Sequence, residues 1–108
     1  MGGDRSRERV LYAYRRGIFP WYSPGQPIRW WCPAPRGVLF PTELHCSRSL
    51  RRSLRQRAYQ VCVNLAFEDV IRACAEPRSP AEGTWLLPEM IGSYVALNRS
   101  GHAHSVEV

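Results

Sequence analysis

The sequence predicts an α+β fold, and three observations carry that prediction. Apolar residues at 67, 70, 71 and 74 recur with helical spacing, while residues 59–64 and 102–108 alternate as strands do. Between the first helical segment and the second lies a stretch with six prolines, at 20, 24, 27, 33, 35 and 41, which breaks both patterns.

Each element follows from its local residues. Residues 5–16 read as a helix: Asp4 or Ser6 can cap it, Val10, Leu11 and Tyr14 share a face, and Gly17 ends it. The prolines then impose an irregular course, because each fixes φ and removes a backbone donor. Two apolar runs inside that course, 28–32 and 38–40, read as short strands of a proline-bounded meander. Ser47 can cap a second helix reaching about Arg57. Residues 59–64 read as a strand, 67–75 as a third helix and 76–83 as a loop. Pro88 suits the first turn of a fourth helix, and Gly101 ends it. Residues 102–108 form a last strand, whose sheet neighbours are expected beyond Val108.

With 108 residues, 44% hydrophobic and 22% charged, the chain suits one small domain or a piece of a larger one, and not a disordered polymer. Net charge is +6, and all 15 basic residues are arginine. Arginine grips phosphate at two points and stacks on bases, so an anionic partner is expected, nucleic acid first. No apolar run approaches the roughly 18 residues of a membrane span. Cys32, Cys46, Cys62 and Cys74 form no C-x-x-C pair, and the N-terminus is polar. Reduced, partly buried thiols in a cytoplasmic protein are therefore expected, with neither zinc nor disulfides. Neither a phosphate-binding G-x-x-x-x-G-K-(S/T) loop nor a G-x-S-x-G nucleophile turn is present.

Three constellations could carry chemistry. Phe19, Trp21 and Tyr22 lie in the loop GIFPWYSPG (17–25), with Trp30, Trp31 and Trp85 elsewhere. Rings held by prolines are either stacking platforms for a base or ordinary core filling. Of the adjacent Trp30 and Trp31, one points inward whatever the other does. Arg48, Arg51, Arg52 and Arg55 recur at helical spacing with no acid between, while Leu50 and Leu54 supply a stripe for the core. That charged face either meets phosphates or is merely solvated. Finally, His102 and His104 would share one strand face, a weak pattern for metal without a third ligand, and Glu107 could be a base or an ordinary strand carboxylate.

These words in register resemble one family. Residues 13–52, with F-P-W-(F/Y)-S-P-G followed by W-W-x-P-x-P-R, are similar to the front half of the leucyl/phenylalanyl-tRNA–protein transferases. So are GGD at 2–4, NLAFEDVIRACA at 64–75 and EGTWLLPEMIGSYVALNRSGHAHSVEV at 82–108. The resemblance implies a bacterial enzyme of the N-degron pathway. It would move Leu, Phe, or less often Met from aminoacyl-tRNA onto proteins with N-terminal Arg or Lys, using no metal or dissociable cofactor.

The resemblance also implies an organisation and a site. Residues 1–58 would form an N-terminal domain with the aromatic loop and the Arg-rich helix. Residues 59–108 would begin an acetyltransferase-like (GNAT-type) domain, incomplete here. Trp21 and Trp85 match tryptophans around the 3′-terminal adenosine, and Tyr14 and Tyr94 match tyrosines near the same end. Arg48, Arg51, Arg52 and Arg55 fall in the helix that meets the acceptor stem. The acidic residue and glutamine that activate the attacking amine are expected downstream of Val108, so no catalytic residue is expected within the chain. A non-catalytic RNA-binding module is the alternative.

Overall fold

The computed structural model describes residues 3–57, 59–77 and 83–108. The first helix, α1 (Arg7–Tyr14), starts at Ser6, whose hydroxyl accepts from the Arg9 N–H, and the turn after it closes at Gly17, at φ +69°. Strand β1 (Phe19–Pro20) then pairs antiparallel with β2 (Trp30–Trp31), Phe19 opposite Trp31. The second helix, α2 (Arg48–Gln56), is capped by the Ser47 hydroxyl, which accepts from the Leu50 N–H at 3.2 Å.

Strand β3 (Cys62–Val63) pairs antiparallel with β4 (Val106–Glu107), so the last strand finds its neighbour upstream, within the chain. Helix α3 (Phe67–Ala75) has no cap from its own Ala66 side chain. The Glu107 carboxylate of β4 supports the helix start from outside, accepting from the N–H of Ala66 itself at 3.2 Å. The Ser105 hydroxyl donates to the same oxygen at 2.6 Å. That hydroxyl bond, outweighing burial and helped by the Ala66 and Leu65 N–H groups, holds the carboxyl below its ordinary range. Helix α4 (Pro88–Arg99) completes the set, with Gly101 at φ +76° behind it.

The fold is built around α4. Helix α1 packs on it, as does α3, whose Glu68 meets Arg99 at 2.8 Å. Tyr22, Ile28, Leu87 and Met90 form the buried cluster, with Trp30 and Tyr94 packed against it. Met90 and Val10 are fully buried. The aromatic loop is thereby fastened to α4 by its own apolar residues.

Several expectations are corrected. Residues 38–40 form no strand: all three are exposed, between Pro35 and Pro41, and none pairs in a sheet. The predicted strands at 59–64 and 102–108 shrink to two residues each. Asn64 ends the ladder at φ +58°, its N–H still donating to the Ser105 carbonyl at 3.1 Å, in a conformation that asparagine tolerates better than most residues. Leu50 and Leu54 face no core, because every residue of α2 is exposed. Of Trp30 and Trp31, the first packs inward and the second is exposed, as alternation requires. The predicted loop at 76–83 lies partly outside the described residues, as do Gly2 and Glu82 of the quoted words and Ala58 at the predicted domain boundary.

Candidate functional site

Four aromatic side chains from four places in the sequence stand in a row. Trp21 and Trp85 lie with ring centroids 6.4 Å apart and planes tilted 44°. Trp85 meets Tyr94 edge-on at 6.3 Å, and Tyr94 meets Tyr14 edge-on at 6.2 Å. Tyr14 is the last residue of α1, Tyr94 lies within α4, and Trp85 precedes α4. Trp21 follows β1, and its backbone is pinned on both sides: its N–H donates to the Arg29 carbonyl, and its carbonyl accepts from the Trp31 indole N–H at 2.8 Å. Neighbouring side chains in an extended loop point opposite ways. Hence Tyr22 is 5% exposed and anchors the loop, while Trp21 is 55% exposed. Trp21 is therefore no part of this chain's buried core.

The Tyr14 and Tyr94 hydroxyls hydrogen-bond each other. Burial, and then that bond, pushes the Tyr94 phenol far above its ordinary range, so it stays neutral and polar at any physiological pH. Beside the row opens a cavity of about 510 Å³, lined among others by Tyr14, Trp85, Tyr94, Phe67, Ile71 and His104. Among its described lining residues there is no carboxylate. The cavity suits a flat ring or an apolar side chain, fixed by a few polar groups.

Sequence reasoning misses the α3 wall and His104 as site residues. Helical spacing marks Phe67 and Ile71 as buried without saying against what, and the strand pattern offers His104 only as a metal ligand. The shared strand face for the two histidines is corrected. His104 is bonded by Asn64, while His102 lines a smaller cavity of about 140 Å³ with Leu11 and Leu97. Among the described residues no three His, Cys, Asp or Glu side chains gather as a metal would need. All four thiols are free; Cys46 and Cys62 are half-buried, Cys32 and Cys74 exposed.

Arg48, Arg51, Arg52 and Arg55, with Gln56, line a groove of about 440 Å³ on α2. The ion pairs of the described residues use Arg5, Arg7, Arg9, Arg72 and Arg99, none of them on α2. This face carries unneutralised charge, which suits phosphates. The structure thus brings the four aromatic residues together and keeps the four arginines together on a separate surface; no α2 residue lines the aromatic cavity. Among the described residues no helix is long and apolar enough to cross a membrane.

Comparison with known proteins finds one family over both surfaces. The model of the family described as leucyl/phenylalanyl-tRNA protein transferase matches residues 38–108, and that of its N-terminal domain matches residues 3–34. A leucyl/phenylalanyl-tRNA–protein transferase of Azotobacter vinelandii is 59% identical over 108 residues, covering 100% of this chain and 48% of the relative. One from Chromobacterium violaceum is 56% identical over 106 residues, 98% of this chain and 46% of the relative. The chain spans about half the length of the curated relatives it matches.

Proposed function

The chain belongs to the leucyl/phenylalanyl-tRNA–protein transferase family, and from that premise we propose that it holds the 3′ end of a charged tRNA for aminoacyl transfer. The full reaction moves Leu or Phe, less often Met, to the N-terminal Arg or Lys of a protein, marking it for degradation in the cytoplasm. Residues 1–58 form the N-terminal domain of such an enzyme. Residues 59–108 open its acetyltransferase-like (GNAT-type) domain.

The observation that carries this reading is the pairing of exposed Trp21 with Trp85 beside an apolar cavity. A base between two rings needs two stacking gaps of about 3.5 Å, or about 7 Å in all. The two rings, 6.4 Å apart and tilted, need a small opening and a rotation to accept adenine between them. Trp21, on an exposed loop, is the ring free to make it. The amino-acid side chain of the tRNA then lies toward Phe67 and Ile71, and the arginines of α2 take phosphates of the acceptor stem.

Chemistry asks little more of this half. An aminoacyl ester is already activated, so catalysis consists mainly of holding ester and amine together and assisting proton removal. The cavity supplies the first. The residues that take the proton belong to the part of the enzyme after residue 108, and no cofactor enters.

The test places Trp21→Ala in a chimera where this chain replaces the matching half of the Azotobacter vinelandii relative. The expected outcome is a KM for aminoacyl-tRNA raised about tenfold or more, as lost stacking implies, with the KM for an Arg-starting peptide unchanged. Equal effects on both would sink the assignment. The 108-residue chain alone is expected to bind charged tRNA without transferring its amino acid. Equal affinity for charged and uncharged tRNA would favour a non-catalytic RNA-binding module instead.

A further inference from the structure

The polar network behind the aromatic cavity fixes a proton. The backbone N–H of Ser105 donates to Asn64 at 3.0 Å. A backbone N–H can only donate, so the side-chain atom receiving it is the carbonyl oxygen Oδ1. The other end of the Asn64 amide is therefore Nδ2, which lies 2.8 Å from His104 Nδ1. Asn98 agrees with this orientation. Its Nδ2 is identified by the Ala103 carbonyl at 2.8 Å, and it donates again to Asn64 Oδ1 at 3.4 Å. Since an amide NH2 only donates, His104 Nδ1 must present its lone pair, and in the neutral ring the hydrogen sits on Nε2.

The position is costly to build. Asn64 adopts φ +58°, a region few residues enter, and it does so where its side chain meets His104 and Ser105 together. His104 lines the aromatic cavity and Asn64 does not. With Nδ1 turned to Asn64, the opposite ring edge is the one left for a ligand. The Tyr14 and Tyr94 hydroxyls share one hydrogen bond, which leaves a single O–H between them for a ligand. His104 is itself exposed, so its free ring edge is open to a ligand.

We propose that Asn64 locks His104 as the Nε2–H tautomer, and that this N–H donates to the ester carbonyl oxygen of an aminoacyl-adenosine bound in the cavity. Asn64 is the positioning residue and His104 the group that touches substrate. The substrate half rests on the function proposed above; the tautomer half does not.

The experiment separates the two. Long-range 1H–15N correlation on the 108-residue chain at pH 8 is expected to show Nδ1 bare and Nε2 protonated; a protonated Nδ1 overturns the proposal. Asn64→Asp, which keeps a side chain tolerant of positive φ and still accepts from Ser105, is expected to move the hydrogen to Nδ1. No movement overturns Asn64 as the lock. For the ligand, the unsubstituted chain is titrated with adenosine and with 3′-deoxy-3′-(phenylalanylamino)adenosine, whose amide carbonyl stands in for the ester. His104→Phe keeps a flat ring and removes the donor. It is expected to weaken the phenylalanyl compound about fivefold, the equivalent of one neutral hydrogen bond, and to leave adenosine unchanged. An equal loss for both, or none, overturns His104 as the carbonyl donor. Failure of the unsubstituted chain to bind either compound overturns the adenosine site itself, and with it the substrate half.

Discussion

Trp21 and Leu50 are exposed to nearly the same extent, 55% and 50%, for opposite reasons. Trp21 rides on a loop whose next residue is buried against Met90 and Leu87, so its ring is presented from a rigid base. Leu50 lies on a helix with no buried residue, so nothing in this chain covers it. A stacking platform needs that base, because a backbone free to move loses its advantage on ordering. An arginine groove needs only charge within reach of phosphate. The same sequence therefore concentrates its core on α4 and the aromatic loop, and leaves α2 and residues 38–40 outside it.

Four measurements press on that contrast. The largest difference is expected in stability: Met90→Ala should cost about 2–5 kcal/mol in denaturant unfolding, as large-to-small changes in cores do. Leu50→Ala and Leu54→Ala should each stay within about 0.5 kcal/mol; a core-sized loss there would mean that α2 is packed after all. Next is salt. Replacing Arg48, Arg51, Arg52 and Arg55 with Ala should flatten the log–log dependence of tRNA affinity on salt by about 3, at about 0.7–0.9 for each phosphate no longer neutralised. Trp21→Ala should instead lower affinity by about 1–3 kcal/mol at an unchanged slope. Equal slopes for both variants would erase the distinction between the two surfaces.

Smaller effects come with pH. The folded chain holds the Tyr94 proton more tightly than the unfolded chain does. That contribution is complete below the ordinary phenol range, about 10, and is lost as pH rises above it. Tyr94→Phe should remove this alkaline slope of stability. Glu107 is displaced the other way. Its contribution is present above the ordinary carboxylate value of about 4.3 and is lost as pH falls, so Glu107→Gln should flatten the acid side of the curve.

The helices are legible in the sequence because their signals are local. Ser47, Pro88, Gly17 and Gly101 mark ends within a turn of where they act, and the spacing over 67–75 delimits α3 as it stands. Strands are legible only as centres. Alternation at 59–64 does not show that Asn64 ends the ladder and holds Ser105 and His104, some 40 residues on. The α2 stripe is right as a pattern and wrong as a buried face, since periodicity says which face is apolar and not whether anything covers it. Of the site, Trp21 and Trp85 stand out as possible stacking rings from the residues, Tyr14 and Tyr94 come only from resemblance to a family, and the structure gathers the four into one row. The α3 wall is legible as an apolar helix face, but no local signal says that the face lines a cavity.

The Glu107 contact at the start of α3 has a consequence for synthesis. Ala66 and the Glu107 carboxylate that supports its helix are 41 residues apart in the chain. At about 5–20 residues per second, the ribosome completes the helix at Ala75 roughly 2–6 s before it adds Glu107. A nine-residue helix is marginal alone. Helix α4, which packs on α3, is made first, so the Ala66–Glu107 contact closes last, on a helix already supported from one side.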